Sequence, residues 1–364
     1  MSDYDYLNAR VRGMSTALLT REFYEQVLSS FTDTILMDAL LASAYAEDVR
    51  SAMAERGPAP VARVVETAVR RSGHAAFARI LSFAPPEPRR LLALQLNRWD
   101  VSNVLALLRS RLAGAGPREA MAAVLPIGEL NETQLAELAA EKDVESLADA
   151  LTTWKHAFAF VLRRAIRECG ARDDPRSLER ALYGAYFTWA LSQLREDDRQ
   201  QALVRGSIRM HADMVNVVTL LAQVRDRARG IAETRSGPGE RGAQRSVEMI
   251  GRGTIPEKIL RELGSAETLE TAFEVLMNTY LARGIEKGIL AYGQAQSLAV
   301  MERFLEEVVV ERECRLFRQD LLGLAVPLGF IWRKYCELSN LRMLARGTAY
   351  RMSSPAIRQE LVLV

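Results

Sequence analysis

The sequence has 364 residues, 49% hydrophobic and 26% charged, which is the make-up of a folded chain and excludes a mostly disordered one. Its 48 Lys and Arg against 46 Asp and Glu leave a net charge of +2, which excludes the strongly basic field of a nucleic-acid-binding protein. The three cysteines, Cys169, Cys314 and Cys336, are odd in number and widely spaced, against both a disulfide framework and a zinc module.

The opening Met1-Ser2-Asp3-Tyr4-Asp5 carries no apolar stretch of a signal peptide. Thr20 with Arg21-Glu22-Phe23 reads as a helix start. Apolar residues at Phe23, Val27, Phe31, Ile35, Leu36, Leu40 and Leu41 then follow the helical period and predict helix over 20–45. Leu92, Leu96, Trp99 and Leu107 predict another over 91–112, and Asn131 with Glu132-Thr133 starts a third. Ala, Leu, Arg and Glu dominate throughout, and no run of alternating β-branched residues predicts a strand. The longest apolar run, Leu321 to Trp332, is interrupted by Pro327 and falls short of the ~20 residues of a membrane span.

Gly57-Pro58-Ala59-Pro60 and Pro85-Pro86-Glu87-Pro88 are short interruptions, and Gly114-Ala115-Gly116-Pro117 reads as a boundary. The segment Arg229 to Gly253, with Ser236-Gly237-Pro238-Gly239-Glu240-Arg241-Gly242 inside it, reads as a linker. The expected organisation is all-α, in three helical segments at 1–115, 116–240 and 250–364.

These segments resemble one another. Asp100-Val101-Ser102-Asn103, Asp213-Met214-Val215-Asn216 and Glu337-Leu338-Ser339-Asn340 each place an acid three residues before an Asn, with a leucine four residues later at Leu107, Leu220 and Leu344. An aromatic landmark, Tyr45, Trp154 or Tyr280, precedes each Asn by 58, 62 and 60 residues. Two landmarks at a nearly fixed separation mark an internal repeat. Residues i and i+3 share a helix face, so a carboxylate and an amide stand in a largely apolar stripe. Arg209 and Arg333 lie one turn before Asp213 and Glu337 and are expected to pair with them. The bland reading is a polar lock that fixes helix packing. The sharp one is a polar contact surface used once per repeat around a central axis.

Catalytic chemistry is not assembled anywhere. Gly284-Ile285-Glu286-Lys287-Gly288 lacks the ending of a phosphate loop, and Gly251-Arg252-Gly253 follows no strand. His74, His156 and His211 are far apart; His211 is two residues from Asp213 and could join its polar stripe. Asp173-Asp174 and Glu196-Asp197-Asp198 read as solvated turns rather than a magnesium–diphosphate site. Arg333 to Val364 is locally basic, most simply a charged outer helix face.

Tyr6-Leu7-Asn8-Ala9-Arg10-Val11-Arg12-Gly13-Met14 with Leu18-Leu19-Thr20, then Arg98-Trp99-Asp100 and Asn103, then Glu337-Leu338-Ser339-Asn340-Leu341-Arg342 and Ala345-Arg346-Gly347-Thr348-Ala349-Tyr350 together resemble the C-type central-stalk component of V-type and A-type ATPases, called d in the eukaryotic V-ATPases. The match departs at Arg351, where glycine is usual after the tyrosine. The resemblance implies three similar helical domains in a pseudo-threefold funnel. It implies a non-catalytic socket on the cytoplasmic face, peripheral to the membrane, that receives the D and F proteins of the rotor shaft, caps the membrane proteolipid ring and carries torque for proton or sodium transport. It implies no cofactor, no metal, no nucleic acid and no direct nucleotide. Arg98, Asp100, Asn103, Arg209, Asp213, Asn216, Arg333, Glu337 and Asn340 are then expected to line or support the socket wall. An all-helical scaffold or adaptor unrelated to rotary ATPases is the alternative reading of the same pattern.

Overall fold

Helix-forming composition and side-chain caps organise the computed structural model, which describes residues 4–56, 59–156, 158–169, 175–230, 250, 252–320 and 322–363. Among the described residues there are helices and no strands. In chain order they are α1 (Asp5–Ser15), α2 (Arg21–Ser29), α3 (Asp33–Leu41), α4 (Ala46–Arg56), α5 (Val61–Phe83), α6 (Pro86–Leu112), α7 (Pro117–Ala123), α8 (Glu132–Ala140), α9 (Val144–Thr153), α10 (Phe158–Cys169), α11 (Pro175–Ser192), α12 (Arg199–Ala228), α13 (Glu257–Ser265), α14 (Leu269–Leu276), α15 (Ala282–Ala295), α16 (Leu298–Gln319), α17 (Ala325–Tyr350) and α18 (Ser354–Glu360). None of them is long and apolar enough to cross a membrane.

The helix expected over 20–45 is two helices. Thr32 is extended and its side chain accepts from the Ile35 N–H, so it starts α3 and ends any continuation of α2. The same device recurs. α2, α8 and α13 begin after Thr20, Asn131 and Pro256. Twelve residues after each of these positions stands a capping side chain, Thr32, Asp143 or Thr268, that accepts from the backbone three residues on. Asn131 adds a full capping box with Gln134. Three pairs of short helices, α2–α3, α8–α9 and α13–α14, are therefore cut to one pattern. Each pair ends at one of the three aromatic landmarks.

The chain divides into two compact units, one of residues 1–154 and 313–364, the other of residues 155–312. In the first, α17 packs along α5, and α6 joins them through aromatic rings: Phe77 stacks on Trp99 at 6.1 Å between centroids, and Trp99 lies 5.6 Å from Trp332 and 5.4 Å from Tyr335. Trp332 is fully buried, and rings of this size dominate core energetics. In the second unit, Val217, Leu220, Leu221 and Val224 of α12 pack with Leu260, Leu263, Phe273, Leu276, Ile285, Met301 and Leu305. The acidic pair Asp173-Asp174 and most of the Arg229–Gly253 segment lie outside the described residues.

α17 ends on Arg351 in the left-handed region (φ 52°, ψ 44°), with the Arg351 N–H reaching back to Gly347 and Thr348 and the Met352 N–H to Gly347. This is a backbone state that glycine adopts at no steric cost, which gives a physical reason for the glycine usual at this place. Arg351→Gly is expected to stabilise the protein by about 0.5–1 kcal/mol; an unchanged or lower denaturation midpoint would contradict that.

Candidate functional site

The three acid–x–x–Asn motifs lie on the three longest of the described helices, α6, α12 and α17, and none of their six acid and amide residues is more than 4% exposed. Buried polar groups of this kind must be hydrogen-bonded, and each is bonded to backbone. Asp100 accepts from the Glu129 N–H (2.9 Å) and the Leu130 N–H (3.1 Å). Asp213 accepts from the Thr254 N–H (2.9 Å), the Ile255 N–H (3.0 Å) and the Thr254 hydroxyl. Glu337 accepts from the Leu19 N–H. In all three the acid holds the residue just before the first capping position of a short helix pair: Leu130 before Asn131, Ile255 before Pro256, Leu19 before Thr20.

The amides act a few residues earlier. Asn103 donates to the Leu125 carbonyl (2.7 Å) and accepts its N–H (2.8 Å), a two-point bond of the kind one strand makes to another. Asn340 does the same with Val362, at 2.9 Å for both bonds. Asn216 accepts from the Ile250 N–H (2.8 Å). Leu125 precedes Leu130, and Ile250 precedes Ile255, by five residues. The third tie takes its two halves from opposite ends of the sequence, Leu19 and Val362.

The aromatic landmarks complete the pattern. Tyr280 donates to Asp213 (3.2 Å) and Tyr45 to Glu337 (2.8 Å). Each tyrosine thus serves the acid of the preceding long helix in the repeat order, not the Asn that follows it by about 60 residues. Around Glu337 the network gains Lys334, whose Nζ donates to Glu337 (2.6 Å), Tyr45 (2.9 Å) and Ser72 (3.2 Å).

The arginines expected to pair with these acids are placed otherwise. Arg333 lies over the Phe317 ring at 5.0 Å, and it is its neighbour Lys334 that reaches Glu337. Arg209 makes no ion pair with Asp213, whose oxygens are taken by backbone, hydroxyl and phenol donors. Arg98 rests on the rings of Trp332 (4.3 Å) and Trp99 (5.2 Å), a cation–π contact in the aromatic core. His211 stands edge-on to Phe187 at 5.2 Å.

Sequence reading missed two residues of this site. Gly128 and Gly253 each stand three residues before a first capping position, and a methyl group on either would overlap the carboxylate of Asp100 or Asp213. At the third tie that register position is Ala17 and the acid is glutamate. The extra methylene lets the carboxylate reach past a residue that carries a Cβ. The signal was present as a correlation: glycine goes with aspartate, and alanine with glutamate.

A sequence profile of the ATP synthase (C/AC39) subunit family matches residues 7–360. The chain belongs to this family. Similar curated members include the C subunit of the V-type ATP synthase of Deinococcus radiodurans, 25% identical over 98% of this chain and 91% of that protein. The C subunit of the A-type ATP synthase of Methanocaldococcus jannaschii is 22% identical over 100% and 87%, and that of Methanosarcina acetivorans is 25% identical over 100% and 94%.

In this C/AC39 chain burial dominates the electrostatics of the two aspartates. Burial pushes the Asp100 carboxyl up to about 7, against the pull of the Glu129 and Leu130 N–H groups. Burial also raises Asp213, where the Thr254 hydroxyl and the Ile255 N–H pull the other way. Tyr45 and Tyr280 are raised by burial and by the carboxylate each faces, so both remain phenols able to donate.

Two outcomes follow from this geometry. Gly128→Ala and Gly253→Ala are each expected to cost about 2–3 kcal/mol by overpacking against a buried carboxylate; a denaturation midpoint within error of wild type for either would show that the ties yield freely. A carboxyl raised from ~3.9 to about 7 holds its proton more tightly in the folded chain. Its contribution to stability is full below pH ~4, declines as pH rises to about 7 and is flat above, a change on the order of 4 kcal/mol. Asp100→Asn removes this slope, so in thermal unfolding wild type should lose stability relative to the variant between pH 4 and 7. Parallel profiles would show that Asp100 ionises normally.

Proposed function

We propose that the protein is the non-catalytic central-stalk component of a V/A-type rotary ATPase, a socket between the shaft, built of the D and F proteins, and the membrane proteolipid ring. In this reading the segments 1–115, 116–240 and 250–364 are three equivalent helical repeats around a pseudo-threefold funnel. The protein sits on the cytoplasmic face of the membrane, and it passes torque without binding nucleotide.

The observation that carries the proposal is the thrice-repeated tie from a long helix to the start of a short helix pair, with the third tie returning to the first residues of the chain. A linear solenoid leaves its last repeat open. Here the last repeat is tied to the first, as a closed threefold socket requires. Membership of the C/AC39 family supports the same reading.

A joint that transmits torque has to resist shear between helices, and buried, fully bonded carboxylate and amide pairs provide directional stiffness that apolar packing lacks. Because Asp100, Asn103, Asp213, Asn216, Glu337 and Asn340 are buried, their role in this reading is to support the wall. Arg98 and Arg333 brace the surrounding rings. Shaft and ring contacts belong to the exposed residues of the segments that the ties hold in place.

The test is recovery of the tagged chain from detergent-solubilised membranes of its own source, followed by mass spectrometry of the co-purifying proteins. Shaft, ring and ATPase head proteins are expected together. If the assembled ATPase is present in the extract and none of it is recovered, the chain is a helical scaffold with another partner.

A further inference from the structure

The notable unused chemistry outside the three ties is a pair of thiols. Cys314 of α16 and Cys336 of α17 are both buried, at 7% and 3% exposure, and their sulfurs are 3.8 Å apart. The residues are 22 apart in sequence and lie in the same compact unit. The two helices are held against each other here, with Arg333 of α17 over the Phe317 ring of α16. A disulfide needs the sulfurs to approach from this separation to about 2 Å.

Cys336 also faces a way in. A cleft of about 40 Å³ is lined by Leu19, Tyr24, Cys336, Glu337, Asn340 and Val362, which are the residues of the tie that joins the two ends of the chain. It has room for a molecule the size of water, and therefore for hydrogen peroxide, but not for glutathione or a protein thiol.

We propose that Cys314 and Cys336 form a peroxide-driven, reversible disulfide that staples α16 to α17 beside the Glu337–Leu19 tie. The cysteine pattern in the sequence argues against a disulfide framework, and this proposal concerns a single reactive pair. The sulfur of Cys336 attacks one peroxide oxygen, and the O–O bond breaks. The departing hydroxide takes the thiol proton to become water, which leaves a sulfenic acid on Cys336. The sulfur of Cys314 then attacks the Cys336 sulfur, and the S–O bond breaks. The second hydroxide leaves as water with the Cys314 proton. Two thiols and one peroxide thus give one disulfide and two waters.

The staple closes a short loop in the unit where the chain's two ends meet, and a native-compatible crosslink stabilises chiefly by restricting the unfolded chain. It would also fix Cys336, the residue before Glu337, and so stiffen the closing tie. The proposal does not depend on the rotary reading, because its readouts are made on the isolated full chain.

The experiment treats the folded full-length protein with hydrogen peroxide, then unfolds it in denaturant, blocks the thiols that remain with a maleimide and maps peptides by mass. The expected product joins the Cys314 and Cys336 peptides, with a mass lower by two hydrogens, and dithiothreitol reverses it. The thermal midpoint is expected to rise on oxidation and to return on reduction. In Cys314→Ser, which removes the second thiol, dimedone present during unfolding after peroxide treatment is expected to trap a sulfenic acid on Cys336. Wild type needs no substitution for the crosslink measurement, so a misfolded variant leaves that test intact. The proposal is overturned if both thiols still take maleimide after peroxide treatment, if they end as separate sulfinic acids, or if the crosslink forms and lowers the midpoint.

Discussion

A buried carboxylate that accepts backbone N–H groups from a distant segment is the interaction on which this architecture rests. Asp100, Asp213 and Glu337 stand on helices whose surroundings are otherwise apolar, where an unpaired charge would cost several kcal/mol. Each is offset by donors on a segment distant in sequence, and that segment immediately opens a short helix pair. The carboxylate therefore sets where the pair begins. The amide one turn along fixes the approach by pairing with the backbone of Leu125, Ile250 or Val362. Removing any acid would leave orphaned N–H groups in the interior as well as a vacant volume.

The acid–x–x–Asn motif was legible in the sequence because its i, i+3 spacing is local and recurs three times. Thr20 and Asn131 were legible as helix starts because capping is local too. The partners of the acids were not legible, since they lie 30, 42 and 318 residues away and present backbone rather than a diagnostic side chain. The expected Arg209 and Arg333 pairings failed for the same reason: backbone donors, a phenol and Lys334 already fill the oxygens. Gly253 passed as an ordinary loop glycine and Gly128 drew no reading, because what requires them is a carboxylate on another helix. The single helix expected over 20–45 reflects an apolar period that continues through Ser29 to Thr32, where a capping hydroxyl wins locally.

The three ties are equivalent in design and different in chemistry. The first is an aspartate against glycine, raised by burial to about 7. The second is an aspartate with hydroxyl and phenol donors. The third is a longer glutamate joined by a lysine, with an alanine where the others have glycine. The first and second span 30 and 42 residues. The third joins the two ends of the chain and carries an ion pair, Lys334 to Glu337. A charged, multiply bonded contact suits the place where no chain connectivity helps.

Closure through Glu337 also orders events during synthesis. Leu19 leaves the ribosome 318 residues before its acceptor. At translation rates of 5–20 residues per second its N–H waits roughly 15 to 60 s for Glu337 to be made. Over that interval α2 and α3 have no long helix to dock on, while the segment from Leu125 to Leu130 can already close on α6. The growing chain can pack its first helix on α5, where Tyr6 and Arg10 meet the Phe83 ring, but Leu19 stays unclosed until the last long helix emerges, and the finished protein exists only once the newest residues capture the oldest.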